Sequence, residues 1–500
     1  MTAPRPPDTD AADIAGGSAI VMVGGLGERI IRMVLSWLLA RWLGPVGFGL
    51  YTFVQTLVAT IVSLSALGTD GGIVFFGARY RKAGERERLK GTLLLCLGIA
   101  VVAGALCTLA VAAVGFAASP TTEQGQALAG LRIGALSVGL GTALAVLVGG
   151  LIAARDMRGQ ALTGQLGLPL FTLLLSAAAV GAGYGVDGAL WSLAAGYGLA
   201  ALGALVLFWR RFGPLLRDRA VRPLWEPGAL LRYSLPQSLA RSLYQANLRI
   251  DILMLTAMAS LSEVGVYKIA TMIAQLGALP VMASTTMFGP VVSELVYARE
   301  TIRLQALLRV VTRWLLILSA PLYLGLILLP DAFLALFDEE YRSGGRALAI
   351  LLLGQAVYVA GGPSGALVTM GGYSGANLLN GVVSVALNLV LNALLIPRMG
   401  MEGAALASAI SIVAWTALRV LQARWLLGCT ALDGRVAGAL GLAIGAGALA
   451  AWLGDGQPFW ARLLLTIGAI AVFAAGIALG GSTPEDRAVI ERFTSRLRRR

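Results

Sequence analysis

Histidine is absent from this 500-residue chain, and cysteine occurs only three times. Histidine is the commonest general base and a frequent metal ligand, so its absence weakens any assignment to catalysis. Cys96 and Cys107 lie in one apolar run and Cys429 lies at the edge of another, so no disulfide framework is indicated. The sequence also contains no P-loop, nucleophile elbow or metal-binding motif. These absences argue against an enzyme and predict no cofactor, while a coupling ion such as H⁺ or Na⁺ stays open.

Charge is scarce as well, at 13% of the residues, whereas 57% are hydrophobic. Soluble domains carry about 25% charged residues, so the composition excludes an ordinary soluble protein. The net charge of +13 could suggest nucleic acid, but the aromatic and glycine patterns of nucleic-acid-binding modules are missing. Basic loops on the cytoplasmic side of a membrane explain the charge better. The sequence therefore predicts an all-α polytopic membrane protein that binds no nucleic acid.

Apolar runs of membrane-spanning length recur along the whole chain. At about 20 residues per crossing, the runs predict about fourteen transmembrane helices. They lie near residues 17–41, 46–68, 91–117, 127–152, 162–183, 188–209, 233–258, 264–287, 308–330, 346–370, 377–396, 403–425, 434–453 and 459–480. The eleventh run is the weakest because it contains four asparagines.

The distribution of lysine and arginine predicts the orientation. Most of these residues outside the spans fall in one set of alternating loops, with a cluster at residues 78–90 and another at 210–232. The opposite loops are short and hold Arg41, Arg342, Arg346 and Arg398. By the positive-inside rule, both termini face the cytoplasm, and the predicted location is the cell inner (cytoplasmic) membrane. The short outer loops argue against an external catalytic domain.

Two short motifs recur at a nearly constant offset and indicate an internal repeat. Gly49-Leu50-Tyr51 returns as Gly265-Val266-Tyr267, and Gly185-Val186-Asp187-Gly188-Ala189 returns as Gly400-Met401-Glu402-Gly403-Ala404. The repeat unit contains six spans, which predicts two pseudo-symmetric six-helix bundles plus two C-terminal helices. The predicted domains are a cytoplasmic tail (1–16), an N-lobe (17–210), a cytoplasmic linker (211–232), a C-lobe (233–425), helices 13 and 14 (426–480) and a basic amphipathic cytoplasmic tail (481–500).

Three charges interrupt the first span. Glu28 and Arg32 are four residues apart and can pair along one helix face, while Arg29 can project together with Arg32. A charge at the centre of an inserting helix costs about 2.5–3.5 kcal/mol, so such groups normally face protein or water. One reading is an ion pair against a neighbouring helix. The other is a wet cavity in which a net positive charge remains.

The seventh span carries a polar stripe. Its members are separated by three or four residues and share one face of a helix: Ser234, Ser238, Arg241, Gln245 and Arg249. A stripe of this length indicates the lining of a hydrated cavity, with hydrogen bonding between helices as the alternative. Arg249 could instead extend to the outer interface. Asp251 projects to another side and could pair with Lys268 or Arg132.

The remaining charges make the predicted interior cationic. Arg132 and Lys268 each lie about one turn inside a span, where they could bind a ligand or anchor the helix at the interface. The predicted substrate-binding set is Arg29, Arg32, Arg132, Arg241, Arg249 and Lys268, with cavity-lining polar residues Glu28, Ser238, Gln245, Asp251, Asn388 and Asn392. Because the guanidinium fork binds phosphate oxygens bidentately, the fitting ligand is anionic.

Three further segments carry predictions. Asn377, Asn380, Asn388 and Asn392 share much of one face of the eleventh span, which favours helix packing and pore lining over a metal site. The sequence from Gly361 to Gly365 should bend or break the tenth span. The C-terminal stretch 482–500 has a helix-entry signal and an amphipathic pattern typical of a helix lying on an anionic leaflet, with a frayed basic tail as the alternative.

The loop sequences resemble those of a known family. ARWLGPVGFGLYTFVQTLV (40–58) is similar to the junction of the first two helices of bacterial oligosaccharide and polysaccharide flippases. LLRYSLPQSLARSLYQANLRIDILML (230–255) with VGVYKIATMIAQL (264–276) resembles the start of their second half, and NLVLNALLIPRMGMEGAALASAIS (388–411) their twelfth-helix entry. This family belongs to the superfamily of multidrug, oligosaccharidyl-lipid and polysaccharide exporters.

The resemblance implies two lobes around a cavity that opens alternately to either side. It also implies an undecaprenyl-diphosphate-linked oligosaccharide as substrate, flipped outward for O-antigen, exopolysaccharide or other surface polysaccharide, with membrane lipids and polymerase machinery as partners. Helix by helix, Arg29, Arg32, Arg241 and Arg249 occupy plausible cavity positions. Two alternatives stay open: a cation-coupled multidrug exporter of the same superfamily, and a membrane enzyme of glycan assembly.

Overall fold

A computed structural model describes residues 7–431 and 434–479, and within those ranges the chain is helical apart from its connecting loops. The first part of the chain contains α1 (Pro7–Ser65), α2 (Thr69–Ala83), α3 (Arg86–Ala117), α4 (Glu123–Ala129), α5 (Leu131–Ala153), α6 (Met157–Gln160) followed by a π-helix (Ala161–Gly167), α7 (Leu168–Gly181), α8 (Gly185–Arg217), α9 (Pro227–Asn247) and α10 (Ile250–Met258).

The second part contains α11 (Leu261–Leu276), α12 (Leu279–Tyr297), α13 (Thr301–Leu328), α14 (Pro330–Ala335), a 3₁₀ turn (Glu339–Gly344), α15 (Gly345–Ala360), α16 (Ser364–Met370), α17 (Ser374–Leu427), α18 (Gly434–Gly454) and α19 (Phe459–Leu479). The predicted break in the tenth span is confirmed, because α15 ends at Ala360 and α16 begins at Ser364.

Helices α1 and α17 each hold two spans. The 59 residues of α1 would extend about 90 Å as one straight helix, roughly three times the hydrocarbon thickness. Gly44 in α1 and Gly400 in α17 have φ angles of 65° and 56°, which interrupt the helical backbone. Side chains cannot easily adopt these angles, so glycine is suited to both positions.

The helices agree with the predicted multi-pass fold. Ten of them within the described ranges are long and apolar enough to cross a membrane, and α1 and α17 each contribute two crossings. The pairs α9–α10 and α11–α12 cover the other two predicted spans, so the structure accommodates about fourteen crossings. Helix α1 begins at Pro7, ten residues before the predicted first span. The predicted tail helix at 482–500 lies outside the described residues.

The chain divides into two compact units, Met1–Gly265 and Val266–Arg500. The sequence predicts the boundary between the lobes in the linker at 211–232, and the boundary between the two compact units follows Gly265, so the seventh span belongs to unit 1. The reason is the packing of α9 against α1 and α2. Tyr233 stacks on Phe75 with the ring centroids 4.4 Å apart, and a methyl group at Gly68 would collide with the backbone of Ser234. The division into two lobes stays a prediction.

The non-helical part of the linker spans residues 218–226 and is fastened to the start of α3. Lys90 donates to the Asp218 carbonyl at 2.7 Å, and the Leu224 amide donates to the carbonyl of Glu87 at 3.1 Å. Glu226 forms an ion pair with Arg88 at 3.2 Å. These contacts attach the segment to α3 within unit 1.

Both copies of the repeated motifs have matching backbone features. Gly185, at the start of α8, and Gly400, at the kink of α17, have φ angles of 55° and 56°. Gly49 and Gly265 lie against each other at a helix crossing in unit 1, and a Cβ built on Gly265 would be 3.1 Å from the Gly49 nitrogen. The pairing of equivalent positions supports the internal repeat that the sequence predicts.

Candidate functional site

The predicted ion pair in the first span is confirmed. Arg32 Nε donates to Glu28 Oε1 at 2.9 Å across one helical turn. At 1.5 Å per residue, Arg32 lies about 18 Å along the helix from the kink at Gly44, which is near the middle of a 30 Å hydrocarbon layer. The side chain of Arg32 nonetheless keeps 45% of its surface exposed, and Arg29 is exposed too.

A third arginine and two tyrosines of unit 1 lie near Arg32. Arg32 lies within electrostatic range of Tyr51 and Tyr197, and Arg249 lies within range of Arg32 and Tyr197. Tyr51 is buried in the second half of α1, and Tyr197 is half-buried on α8. Placing a guanidinium group in lipid costs free energy, so this side of α1 is suited to a hydrated cleft. We call Arg29, Arg32 and Arg249 the unit 1 cationic cluster.

Arg249 sits in a break between two helices rather than on a continuous one. Helix α9 ends at Asn247, α10 begins at Ile250, and Arg249 itself has φ −128° and ψ −16°. Its Nη1 is shielded from solvent and makes no hydrogen bond to any residue that the structure describes. A shielded cationic donor without an acceptor costs at least about 1–3 kcal/mol, which an anionic ligand would recover.

The rest of the polar stripe serves packing at one end. Ser234 is buried against Gly72, and Ser238 approaches Gly68 at the start of α2. Ser242 Oγ lies 3.5 Å from Ser63 Oγ of α1. The prediction of one cavity-lining stripe down the whole span was therefore wrong for Ser234, because glycines in α2 let the two helices approach closely. Gln245 is half-buried, and the backbone of Arg241 lies in α9.

Arg132 has a defined structural partner, the end of α3. Its Nε donates to the Gly115 carbonyl at 3.0 Å and its Nη2 to the Ala118 carbonyl at 3.2 Å. The guanidinium also lies 5.6 Å from the centroid of the Phe116 ring. Free carbonyls and the negative end of the dipole favour a cation at a helix C-terminus. This arrangement fits the anchoring alternative for Arg132, and its role in substrate binding stays a prediction.

Replacing Arg132 with alanine tests that assignment. We expect the free energy of unfolding to fall by about 1 kcal/mol, because two charge-assisted hydrogen bonds to the helix end are lost. Transport per folded molecule should not change. Thermal unfolding of the purified protein measures the first effect, and Arg398→Ala at an exposed position is the control. A large loss of transport with an unchanged melting temperature would place Arg132 among the ligand-binding residues instead.

Two other predicted residues lie near the unit boundary. Asp251 is buried in the first turn of α10, where the helix dipole favours a carboxylate. Lys268 is half-buried on α11 in unit 2. Their mutual pairing stays a prediction.

The asparagines of the eleventh span form amide contacts within α17. Asn392 Nδ2 donates to Asn388 Oδ1 at 3.0 Å, and both residues are buried. Asn380 exchanges two hydrogen bonds with Gln422, at 2.7 and 2.8 Å. Residues 42 apart in a straight helix would be about 63 Å apart, so the chain must reverse at Gly400. The packing role predicted for these asparagines is confirmed for Asn380, while cavity lining by Asn388 and Asn392 stays a prediction.

Some candidate residues escaped the sequence analysis. Tyr51 and Tyr197 place phenol groups near the unit 1 cationic cluster, although neither was singled out. Tyr51 belongs to a repeated motif, which was the available signal. In unit 2, Arg309 and Arg313 lie well inside α13 and Arg419 well inside α17. Their positions two to three turns from the nearest helix end are the sequence signal that could have identified them.

The geometry of the unit 1 cationic cluster suits the binding of an anion. Only Glu28 pairs with its arginines in the part of the chain that the structure describes, so the cluster keeps a net positive charge. Arginine and tyrosine together offer several donors to phosphate oxygens. No group of three or more potential metal ligands occurs among the described residues.

The helices that the structure describes, with about fourteen membrane crossings and a partly exposed cationic cluster in unit 1, form the fold of a multi-pass membrane protein. Residues 14–296, more than half of the chain, match the family model described as polysaccharide biosynthesis protein. The chain belongs to this family, and the resemblance to polysaccharide flippases is confirmed.

Individual relatives agree with the assignment. The probable flippase AglR of Haloferax volcanii is 29% identical over 179 residues, which cover 34% of this chain and 37% of that protein. An inward-facing multidrug resistance MATE family transporter of the MOP superfamily is similar with a TM-score of 0.66 and 16% identity, over 80% of this chain and 94% of the other. The lipid II flippase MurJ, in an inward closed conformation, is similar with a TM-score of 0.66 and 14% identity, over 91% of this chain and 97% of the other. At such low identity these two structures establish the fold alone.

Proposed function

We propose that this protein is a flippase that moves a polyprenyl-diphosphate-linked oligosaccharide across the bacterial inner membrane by alternating access. Membership of the polysaccharide biosynthesis family supports a glycan substrate. The observation that carries the proposal is the unit 1 cationic cluster, in which Arg249 holds a shielded, unsatisfied donor near Arg32. The diphosphate of a lipid carrier would supply the missing acceptors.

In this proposal the charged and apolar parts of the substrate go to different places. The cationic cluster binds the diphosphate, the sugars enter hydrated space, and the polyprenyl chain stays in lipid. Binding must be strong enough to load the substrate and weak enough to release it. The ion pair between Glu28 and Arg32 supports this requirement, because the carboxylate competes with phosphate for the same guanidinium. Both termini are proposed to face the cytoplasm.

The multidrug alternative fits the cluster less well. An organic cation needs an acidic partner, and Glu28 is already bonded to Arg32. Arg29 and Arg249 would repel such a substrate. The shared fold with a MATE transporter does not distinguish the two functions, since the same fold serves both.

Deletion of the gene tests the proposed function directly. We expect lipid-linked glycan to accumulate on the cytoplasmic leaflet and surface polysaccharide to be lost, because the charged headgroup cannot cross unaided. Leaflet-specific labelling of the lipid-linked glycan with an impermeant reagent measures this. The wild-type gene supplied in trans is the control. Unchanged sidedness in the deletion strain, combined with lower tolerance of cationic drugs, would favour the multidrug exporter.

A further inference from the structure

Unit 2 contains a second group of arginines inside its membrane-spanning helices. Arg309 and Arg313 lie one turn apart on α13, about 12 and 18 Å along the helix from its first residue. Arg419 lies about 12 Å from the end of α17. Arg313 is 8% exposed, and the other two are half-buried. All three thus lie two to three turns inside their helices.

The break between α15 and α16 brings the two arginine-bearing helices to one place. A Cβ at Gly362 would collide with Thr312, which sits between Arg309 and Arg313 on α13. A Cβ at Gly365 would lie 2.5 Å from Arg419 Nη1. Gly362 and Gly365 are three residues apart, so Thr312 of α13 and Arg419 of α17 both lie against the same short segment.

Arg419 is held in a fixed orientation. Its guanidinium carbon lies 3.7 Å from the centroid of the Trp415 ring, and Trp415 is parallel to Tyr358 within 4°. Arg419 Nη2 also donates to Asn377 Oδ1 at 3.3 Å. A stacked guanidinium loses little further side-chain entropy on binding a ligand, which favours affinity.

The surroundings of Arg309 are equally rigid. One turn before it, Gln305 forms two hydrogen bonds with the backbone of Thr430, at 2.6 and 2.7 Å. A buried core that includes Leu308 and Cys429 fixes the same region. The Nε of Arg309 is shielded from solvent and has no hydrogen-bond acceptor within the described part of the chain. Such a donor is costly unless a ligand satisfies it.

Acidic residues do not offset this charge along α13. The nearest acid in sequence, Glu300, precedes the helix and is bonded to Arg303 at 2.7 Å. Helix α13 itself thus carries no carboxylate that would compete with a bound anion for Arg309. Guanidinium groups favour phosphate because their fork matches two of its oxygens.

We propose that Arg309, Arg313 and Arg419 form a second anion-binding site, the unit 2 arginine site, that takes the phosphate or diphosphate of a membrane lipid. This site is distinct from the unit 1 cationic cluster and does not depend on the proposed transport function. Two lipids could supply the group, namely the polyprenyl diphosphate carrier and an anionic phospholipid such as phosphatidylglycerol.

Binding of inorganic pyrophosphate to the purified full-length protein tests the site. The background is the triple variant Arg29→Gln, Arg32→Gln, Arg249→Gln, which removes the unit 1 cationic cluster. We expect pyrophosphate to bind this background still, and Arg309→Gln with Arg419→Gln to weaken that binding about tenfold or more. Arg303→Gln, on the same helix but exposed, is the matched control and should have no effect.

Fluorescence and rescue experiments separate binding from folding. Pyrophosphate should change the emission of Trp415, because Arg419 stacks on that ring, and Trp415→Phe should abolish the change. Arg309→Lys with Arg419→Lys should restore part of the binding, since the charge is kept. Loss of all binding in the unit 1 background, or full binding after Arg309→Gln and Arg419→Gln, would overturn the second site.

Competition identifies the source of the phosphate. In zwitterionic nanodiscs, displacement of pyrophosphate by a short-chain polyprenyl diphosphate assigns the site to the carrier lipid, and displacement by phosphatidylglycerol alone assigns it to the phospholipid. Displacement by neither lipid contradicts the proposal. If the protein binds pyrophosphate at the unit 2 arginine site but deletion of its gene leaves the sidedness of the lipid-linked glycan unchanged, only the proposed flippase function is rejected.

Discussion

Replacing Arg249 with glutamine is expected to lower glycan translocation about tenfold or more while the protein still inserts and folds. The substitution removes a charged group whose Nη1 is shielded from solvent and has no acceptor among the described residues, so this donor contributes no hydrogen bond to the native structure. A charge-assisted contact to phosphate contributes about 1.5–3 kcal/mol, which corresponds to roughly 10–100-fold in binding. Initial rates of flipping in proteoliposomes, normalised to folded protein, provide the measurement.

Two matched variants sharpen this result. Arg211→Gln removes an exposed arginine paired with Asp156 at 3.1 Å and should leave transport nearly unchanged. Glu28→Gln releases Arg32 from its carboxylate and should strengthen the binding of a phosphate ligand. If Glu28→Gln instead lowered the melting temperature and transport together, the ion pair would be a structural contact. Full transport by Arg249→Gln would remove this residue from the site.

Replacing Gly49 with alanine is expected to destabilise the protein by about 1–3 kcal/mol or more and to reduce transport in parallel. A Cβ at this position would collide with the carbonyl oxygen of Leu261, a backbone atom that cannot rotate away. The amide of Leu261 is also bonded to Glu123 at 2.7 Å, which holds this backbone in place. The helix crossing at Gly49 and Gly265 would therefore have to open.

A second glycine in the same unit provides a control with the opposite sign. Gly98 lies within α3 and has open space where a Cβ would go. Alanine in a helix interior is favoured over glycine by about 0.5–1 kcal/mol, so Gly98→Ala should raise the melting temperature. Thermal unfolding in detergent compares the two variants. Equal shifts for Gly49→Ala and Gly98→Ala would contradict the importance of the crossing.

Features that depend on local sequence were predicted well. The pairing of Glu28 with Arg32 follows from their spacing on one helix, and the break at Gly361–Pro363 follows from backbone chemistry. The number of spans follows from apolar length alone, which explains why the multi-pass fold was predictable.

Features that depend on contacts between helices were predicted less well. The polar stripe predicted one face, but Ser234 turns out to pack on α2 because Gly68 and Gly72 leave room there. Arg249 lies in a helix break at residues 248–249, where the sequence has no proline or glycine to predict it. Thr312 of α13 and Arg419 of α17 lie against the same segment between α15 and α16 because of helix packing, which sequence periodicity does not reveal.

The amide contacts inside α17 have a consequence for biosynthesis. The first half of the helix carries four asparagines, and the second half carries Arg419 and Gln422, so each half alone would expose polar side chains to lipid. Asn380 and Gln422 satisfy each other, and Asn377 accepts a hydrogen bond from Arg419. Insertion as a preformed helical hairpin would therefore be easier than insertion one segment at a time. The two halves would then leave the translocon as a single unit, with the first half waiting for the second.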